Sequence, residues 1–298
     1  MPIGSRRQAH REKCRFSMLI KYSLAKMSII VSVKINDGIV LASDSVTTFY
    51  LPDGKPGQIY EHAVKTVNLV KGLPIGVMTC GAGGISNAST ATLLKDLRQR
   101  LTGYEEGHAD WKLDERNYTI ESVSFRVHQF FSEKARESDF KFFLLLRVCG
   151  FSSGRPLPEV WQVALNEGKP LDPFRVQSEN KFGVQWNGEQ EALNRLILGV
   201  GTMTENGAKA IGVPRTRLRS FLKKLYPHTF ENLILPAAPI QDAMDLSRFL
   251  VETSIGFFQY AVMRAKTVGG PIEIAVITKH EGFKWVQRKH FFSQEFNP

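Results

Sequence analysis

Ser28-Ile29-Ile30-Val31-Ser32-Val33-Lys34-Ile35-Asn36-Asp37-Gly38-Ile39-Val40-Leu41-Ala42-Ser43-Asp44 reads as a β-hairpin. Val31, Val33 and Ile35 alternate with Ser32, Lys34 and Asn36, the period of a strand with one buried face. Asp37-Gly38 is a two-residue turn signal that supplies positive φ without strain. Ile39 to Ala42 predict the return strand, which ends on Asp44. Met27 stands directly before Ser28. If translation begins at Met27, removal of the initiator leaves Ser28 as the first residue, carrying both a hydroxyl and a free α-amine. An α-amine titrates near ~7.7–8.0, so a useful fraction is neutral at physiological pH and can take the hydroxyl's proton. Nucleophile–amine pairs of this kind are one variant of triad chemistry. A strand that starts on serine is common, and an ordinary strand with a surface serine is the plain alternative.

The chain has 298 residues, 43% of them hydrophobic, enough for one large domain or two small ones with a sizeable core. No apolar run approaches the ~18 residues that would cross a bilayer. The longest, Phe142 to Leu146, is strand-length and stops at Arg147. Of the formal net charge of +10, residues 1–27 hold +6: Arg6, Arg7, Arg11, Lys13, Arg15, Lys21 and Lys26 against Glu12. A charge gathered in a leader, with only +4 on the rest, argues against nucleic acid as a partner. Cys14, Cys80 and Cys149 have neither metal-ligand spacing nor a disulfide framework, which points to a reducing, cytoplasmic setting. Nothing in the sequence calls for a metal or another cofactor. Cys80 reads as a small buried residue at a strand end rather than a nucleophile.

Residues 1–27 are basic and aperiodic and are expected to lie outside the fold. Arg6-Arg7 lacks the hydrophobic stretch of an export signal, while the Arg-rich composition also fits an organellar transit peptide. A start codon placed too far upstream, or a propeptide removed before Ser28, explains the stretch more simply. Residues 28–298 then form a single domain. Tyr50 to Gln58 reads as a Pro/Gly loop, Val64 to Val70 and Ile75 to Cys80 as strands, and Gly81-Ala82-Gly83-Gly84 as a tight strand-to-helix turn. These glycines lack the Lys-Ser/Thr ending of a phosphate loop. Ser86 or Asn87 is placed to cap a helix bearing Leu93, Leu94, Leu97 and Leu101, and Thr119 to cap another through about Arg136. Phe140–Gly150 and Glu159–Asn166 read as strands, Phe182–Trp186 as a shorter one, Glu191–Leu198 as a helix, and Gln241 to about Arg264 as a long helix. Ile272–Ile277 and Phe283–Val286 close the chain as strands. Residues 199–238 contain a basic amphipathic run, Arg215 to Lys224, whose default reading is a solvated helix. Strand pairs alternating with helix pairs predict an α+β fold, a four-layer αββα sandwich of two antiparallel sheets flanked by helix pairs.

In order and spacing, several pieces resemble the proteasome β-subunit family of N-terminal-nucleophile (Ntn) hydrolases, closest to its bacterial members. They are Ser28 to Lys34, Asp37-Gly38, Leu41 to Asp44, Lys65 to Leu69, Thr79-Cys80-Gly81, Gly188 before a helix, and Gly269 to Gly282. The likeness runs from about Ser28 to Phe292 and leaves residues 199–238 as an insertion. It implies the Ntn-hydrolase fold and a threonine-type peptidase with Ser28 in place of the usual threonine. It puts Asp44 at the family aspartate, seventeenth counting from the nucleophile, and Lys65 at the catalytic lysine. It puts Gly81 at the glycine whose N–H forms the oxyanion hole, worth about 3 kcal/mol in the transition state. Thr48 and Thr79 fall on positions that meet the bound peptide. In this arrangement Lys65 is a cation that lowers the nucleophile's pKa and keeps the amine neutral, and Asp44 neutralises and orients it.

The chain departs from the family where the amine is usually assisted. One helper falls on Ala265, a second on Val268, and a third on or near Asn187. Met27 stands where self-processing members have glycine. The resemblance implies a peptide or unfolded-protein substrate, a homo-oligomeric ring or open ring, and an ATP-dependent unfoldase as partner. Two other readings stay open: an inert scaffold subunit of the same fold, and an amidase on small molecules.

Overall fold

The structure is a computed structural model that describes residues 28–50, 56–138 and 141–289. The expected leader, 1–27, lies outside the described residues. Chain order is β1 (Ile29–Lys34), β2 (Gly38–Ser43), β3 (Thr47–Tyr50), β4 (Pro56–Tyr60), β5 (Thr66–Asn68) and β6 (Ile75–Gly81). A small hairpin, β7 (Gly84–Ile85) and β8 (Ala88–Ser89), leads into α1 (Thr90–Thr102) and α2 (Ile120–Arg136). Then come β9 (Leu144–Gly150), β10 (Glu159–Asn166), β11 (Lys169–Gln177) and β12 (Gly183–Gly188). Helices α3 (Glu191–Leu198), α4 (Thr204–Ala210), α5 (Arg215–Thr229) and α6 (Ile240–Tyr260) precede β13 (Glu273–Thr278) and β14 (Gly282–Gln287).

The strands form two five-stranded antiparallel sheets, ordered β12-β1-β2-β13-β14 and β11-β10-β9-β6-β5. Period-2 alternation sends each strand's side chains to two different layers. From β1 and β2, Ile29, Val31, Val33, Val40 and Ala42 pack under α3 and α6 with Leu193, Leu250 and Val251. Ile30, Ile39 and Leu41 point the other way, onto Met78, Cys80, Leu145 and Cys149 of the second sheet. The far face of that sheet, with Val77, Leu144, Leu146 and Val163, packs on Leu94 and Leu97 of α1 and Phe130 and Phe131 of α2. This is the expected four-layer αββα sandwich.

Both faces of β1 are therefore buried, where the sequence pattern read as one. Its polar residues face the opposing sheet and are paired there. Arg147 of β9 donates to the Ser32 hydroxyl at 3.2 Å and to the Asn187 side-chain oxygen. Lys34 donates to the carbonyls of Ser178 (3.0 Å) and Glu179 (2.9 Å) and lies over the Phe182 ring, and burial lowers its pKa to about 8.

Other boundaries differ for local reasons. Helix α1 is capped by Ser89, whose hydroxyl accepts from Thr92 N at 3.1 Å; Ser86 and Asn87 instead turn the β7–β8 hairpin. Thr119 caps α2 as expected, accepting from Ser122 N at 3.0 Å. Strand β11 went unassigned from sequence; it contains Pro170 and Pro173 and sits at a sheet edge, where proline is tolerated. Strand β4 occupies the end of the stretch read as a Pro/Gly loop. Helix α6 stops at Tyr260 rather than near Arg264, with the Ala261 N–H closing the last turn on Phe257 O. Within 199–238, α4 and α5 share a small cluster of Ala208, Leu218 and Leu222.

Candidate active site

Ser28 sits where the first sheet's central hairpin opens. The register pairs Ile30 with Ser43 and Ile29 with Gly188, so Asp44 just beyond β2 and Glu189 just beyond β12 flank the start of β1. The Asp44 carboxylate is fully buried and takes four donors. One oxygen accepts from Lys65 Nζ at 2.6 Å and Ile29 N at 2.9 Å. The other accepts from the backbone N–H groups of Val46 and Gly269, both at 3.1 Å. Lys65 arrives from the segment before β5, its carbonyl accepting from Thr79 N at 2.9 Å. Its side chain is only 5% exposed, and burial lowers its pKa against the opposing pull of Asp44. An ion pair this deep holds only if its remaining valences are filled, and here Asp44 has every lone-pair direction met.

Ser28 itself is fixed through its backbone. Its N–H donates to Thr267 O at 3.1 Å, and its carbonyl accepts from Glu189 N at 2.8 Å. Its hydroxyl is 3.5 Å from Val46 O. The residue adopts φ 71°, the left-handed region that costs a non-glycine residue on the order of 1–2 kcal/mol. The loop before β13 reaches this point because Ser45 N and Val46 N both donate to Gly269 O. Glycine is required at 270: φ is +71° and a Cβ there would lie 2.4 Å from Glu61 O.

A second buried pair backs the first. Glu273 accepts from Lys65 N at 3.3 Å and meets Lys289 Nζ at 3.5 Å. Lys289 also donates to the Ser45 hydroxyl at 2.7 Å and to Ala63 O at 2.5 Å. Burial raises the Glu273 pKa and lowers that of Lys289. Among the described residues no group of three His, Cys, Asp or Glu side chains stands ready for a metal ion. Cys80 is buried and its thiol pKa is pushed up to about 12, leaving little thiolate.

Of the residues singled out from sequence, Asp44 and Lys65 pair directly, and Ser28 adjoins them through the Ile29 N–H that Asp44 accepts. Gly81 closes β6 two residues after Thr79, at φ +103°, where a Cβ would fall 2.4 Å from Phe143 O. Thr48 pairs through its backbone with Ile59 in the β3–β4 ribbon, and its side chain lies outside the described residues. Asn187 is directed elsewhere: it pairs with Ile30, and its side chain is taken by Arg147 between the sheets. The residues that meet Ser28 instead are Glu189 and Thr267, joined by a 2.7 Å hydrogen bond from the Thr267 hydroxyl. Sequence reading missed both, by two positions from Asn187 and one from Val268. It also missed Glu273 and Lys289. No helix among the described residues is long and apolar enough to cross a membrane.

No family model matches the sequence, and no curated protein matches it. Among solved structures, the chain is similar to Anbu (ancestral beta-subunit) from Yersinia bercovieri, with 12% identity, 88% of each chain covered and a TM-score of 0.49.

Proposed function

We propose that this chain is a proteasome-like Ntn hydrolase that cleaves peptide bonds with Ser28 as its nucleophile, once residues 1–27 are gone. The observation that carries the reading is the junction at Asp44, where one carboxylate oxygen holds both the Lys65 ammonium and the N–H that follows Ser28. The backbone of Ser28 supports it. The φ torsion is defined by the preceding carbonyl carbon, so the strain at 71° disappears when Ser28 becomes the chain's first residue.

In the reaction the Ser28 α-amine takes the hydroxyl proton as Oγ attacks the substrate carbonyl. The proton passes to the departing amine, the C–N bond breaks, and an ester on Oγ remains. Water, deprotonated by the same amine, then cleaves that ester and restores the hydroxyl. Lys65 contributes a fixed positive field that favours the alkoxide character of Oγ and disfavours an ammonium beside it. Gly81 is assigned the oxyanion-hole N–H by resemblance. Among the described residues β3 pairs only with β4, which leaves its other edge to receive an extended peptide at Thr48. A ring or open ring of copies in the cytoplasm, fed by an ATP-dependent unfoldase, is the setting proposed with this activity.

The test is hydrolysis of a panel of fluorogenic peptides and small acyl amides by protein beginning at Ser28. Peptide cleavage that falls to background in Ser28→Ala and survives in Ser28→Thr is the expected result. Cleavage confined to small amides moves the assignment to an amidase. Activity undiminished in Ser28→Ala overturns the reading.

A further inference from the structure

Ser28, Thr267 and Glu189 close a ring of hydrogen bonds on the side of Ser28 away from the Asp44–Lys65 pair. Ser28 N donates to Thr267 O at 3.1 Å, the Thr267 hydroxyl donates to a Glu189 carboxylate oxygen at 2.7 Å, and Glu189 N donates to Ser28 O at 2.8 Å. All three residues are buried, at 2%, 6% and 5% exposure. A carboxylate this deep acts on neighbouring charges through a lower dielectric than water, so Glu189 bears on the electrostatics of Ser28 as well as on its position. It stands beside the one backbone nitrogen that the proposed chemistry needs.

We infer that Glu189 and Thr267 are positioning residues for the Ser28 amine. Glu189 fixes Thr267 by its hydroxyl, and the Thr267 carbonyl takes one N–H of the amine, which stops rotation about the Cα–N bond and aims the lone pair at the neighbouring hydroxyl. The inference rests on the reading of Ser28 as nucleophile. It accounts for a chain whose residues at the three family helper positions, Ala265, Val268 and Asn187, offer no such support: Val268 is packed in the apolar layer under α6, and Asn187 is bound to Arg147.

The electrostatics give a readout that packing alone would not move. On one side the amine faces Lys65 with Asp44, and behind them Glu273 with Lys289. On the other it faces Glu189, and two residues further Glu191, which is already committed to Arg195 and Arg264. Lys266 precedes Thr267 in the loop. A carboxylate near an amine favours the ammonium form, and removing it lets the amine lose its proton at lower pH.

The experiment is the pH profile of kcat/KM from pH 5 to 9, with covalent labelling of Ser28 by an electrophilic peptide. The variants are Glu189→Gln, which keeps an acceptor for Thr267 but loses the charge, Thr267→Val, which loses the hydroxyl, and Thr267→Ser, which restores it. The acid limb is expected to move down by roughly 0.5–1 pH unit in Glu189→Gln. Thr267→Val is expected to lower kcat about tenfold with KM within twofold, and Thr267→Ser to recover it. If Thr267→Val does not fold, the Glu189→Gln profile decides alone. Active wild type with a Glu189→Gln profile superimposed on it overturns this inference and leaves Ser28 as nucleophile. Wild type without a Ser28 adduct overturns the nucleophile, and the positioning role falls with it.

Discussion

Both oxygens of Asp44 are occupied, and only one of the four donors that hold them carries a charge. Asp44→Asn would leave the Lys65 ammonium buried without a counter-charge, and losing one partner of such a pair costs about 3–5 kcal/mol. Urea unfolding should show that loss, and hydrolysis should fall with it; a variant as stable as wild type would mean that water reaches Lys65. The adjacency of Ser28 and Asp44 was legible because both lie at the open end of one hairpin, but its tip is Asn36-Asp37 and not the expected Asp37-Gly38: Ile35 N donates to Gly38 O at 3.0 Å, and Gly38 opens β2 without a positive φ. Lys65 was reached only through the family resemblance, since it comes from another sheet. Glu189, Thr267, Glu273 and Lys289 were not read as site residues. They reach the site from the end of β12, the loop before β13, β13 itself and the segment after β14, and no local pattern marks a residue whose role depends on that closure. Among these Glu189 gave a faint signal, an acidic residue next to the glycine that precedes α3.

Strand β1 shows how far element-level reading goes. Its alternation correctly placed Val31 and Val33 toward helices, yet alternation with polar residues normally means a solvated face. Here the polar face meets Arg147 and the β11–β12 connection, and partners supplied from 115 to 145 residues away in sequence decide that Ser32 and Lys34 are buried. Lys34 has a testable consequence. Its folded pKa, about 8, lies below the ordinary 10.5, so the unfolded chain binds more protons between those values and stability rises with pH across that window. The difference in unfolding free energy between wild type and Lys34→Met should therefore shift in favour of wild type from pH 8 to pH 10.5. Parallel curves would show that Lys34 keeps its ordinary pKa. At the end of β6, Gly81→Ala should destabilise by more than about 1 kcal/mol, because its φ of +103° and the nearby Phe143 carbonyl both oppose a Cβ. Thermal unfolding measures it, and an unchanged midpoint would contradict the geometry.

At the scale of the whole molecule, the four layers were readable from the order of strand and helix pairs, because each sheet face must be covered by something apolar. What order could not supply was the place of residues 199–238. Helices α4 and α5 keep a small cluster of their own and are tied to α3 by the Thr229 hydroxyl on Leu198 O at 2.6 Å. So little buried apolar surface predicts early local opening, and amides of Thr204–Thr229 should exchange well before those of β1, β2 and β9 in native-state hydrogen exchange. Equal protection would mean that the pair belongs to the main cooperative unit. The central claim is narrower than any of this: that a free amine and a hydroxyl meet on Ser28 and react. Intact mass and N-terminal sequencing of the protein from its native host, before and after an electrophilic peptide, test it directly. The account predicts a chain that begins at Ser28 and gains one adduct there. A chain that keeps residues 1–27 and takes no adduct would contradict it and make this an inert member of the same architecture.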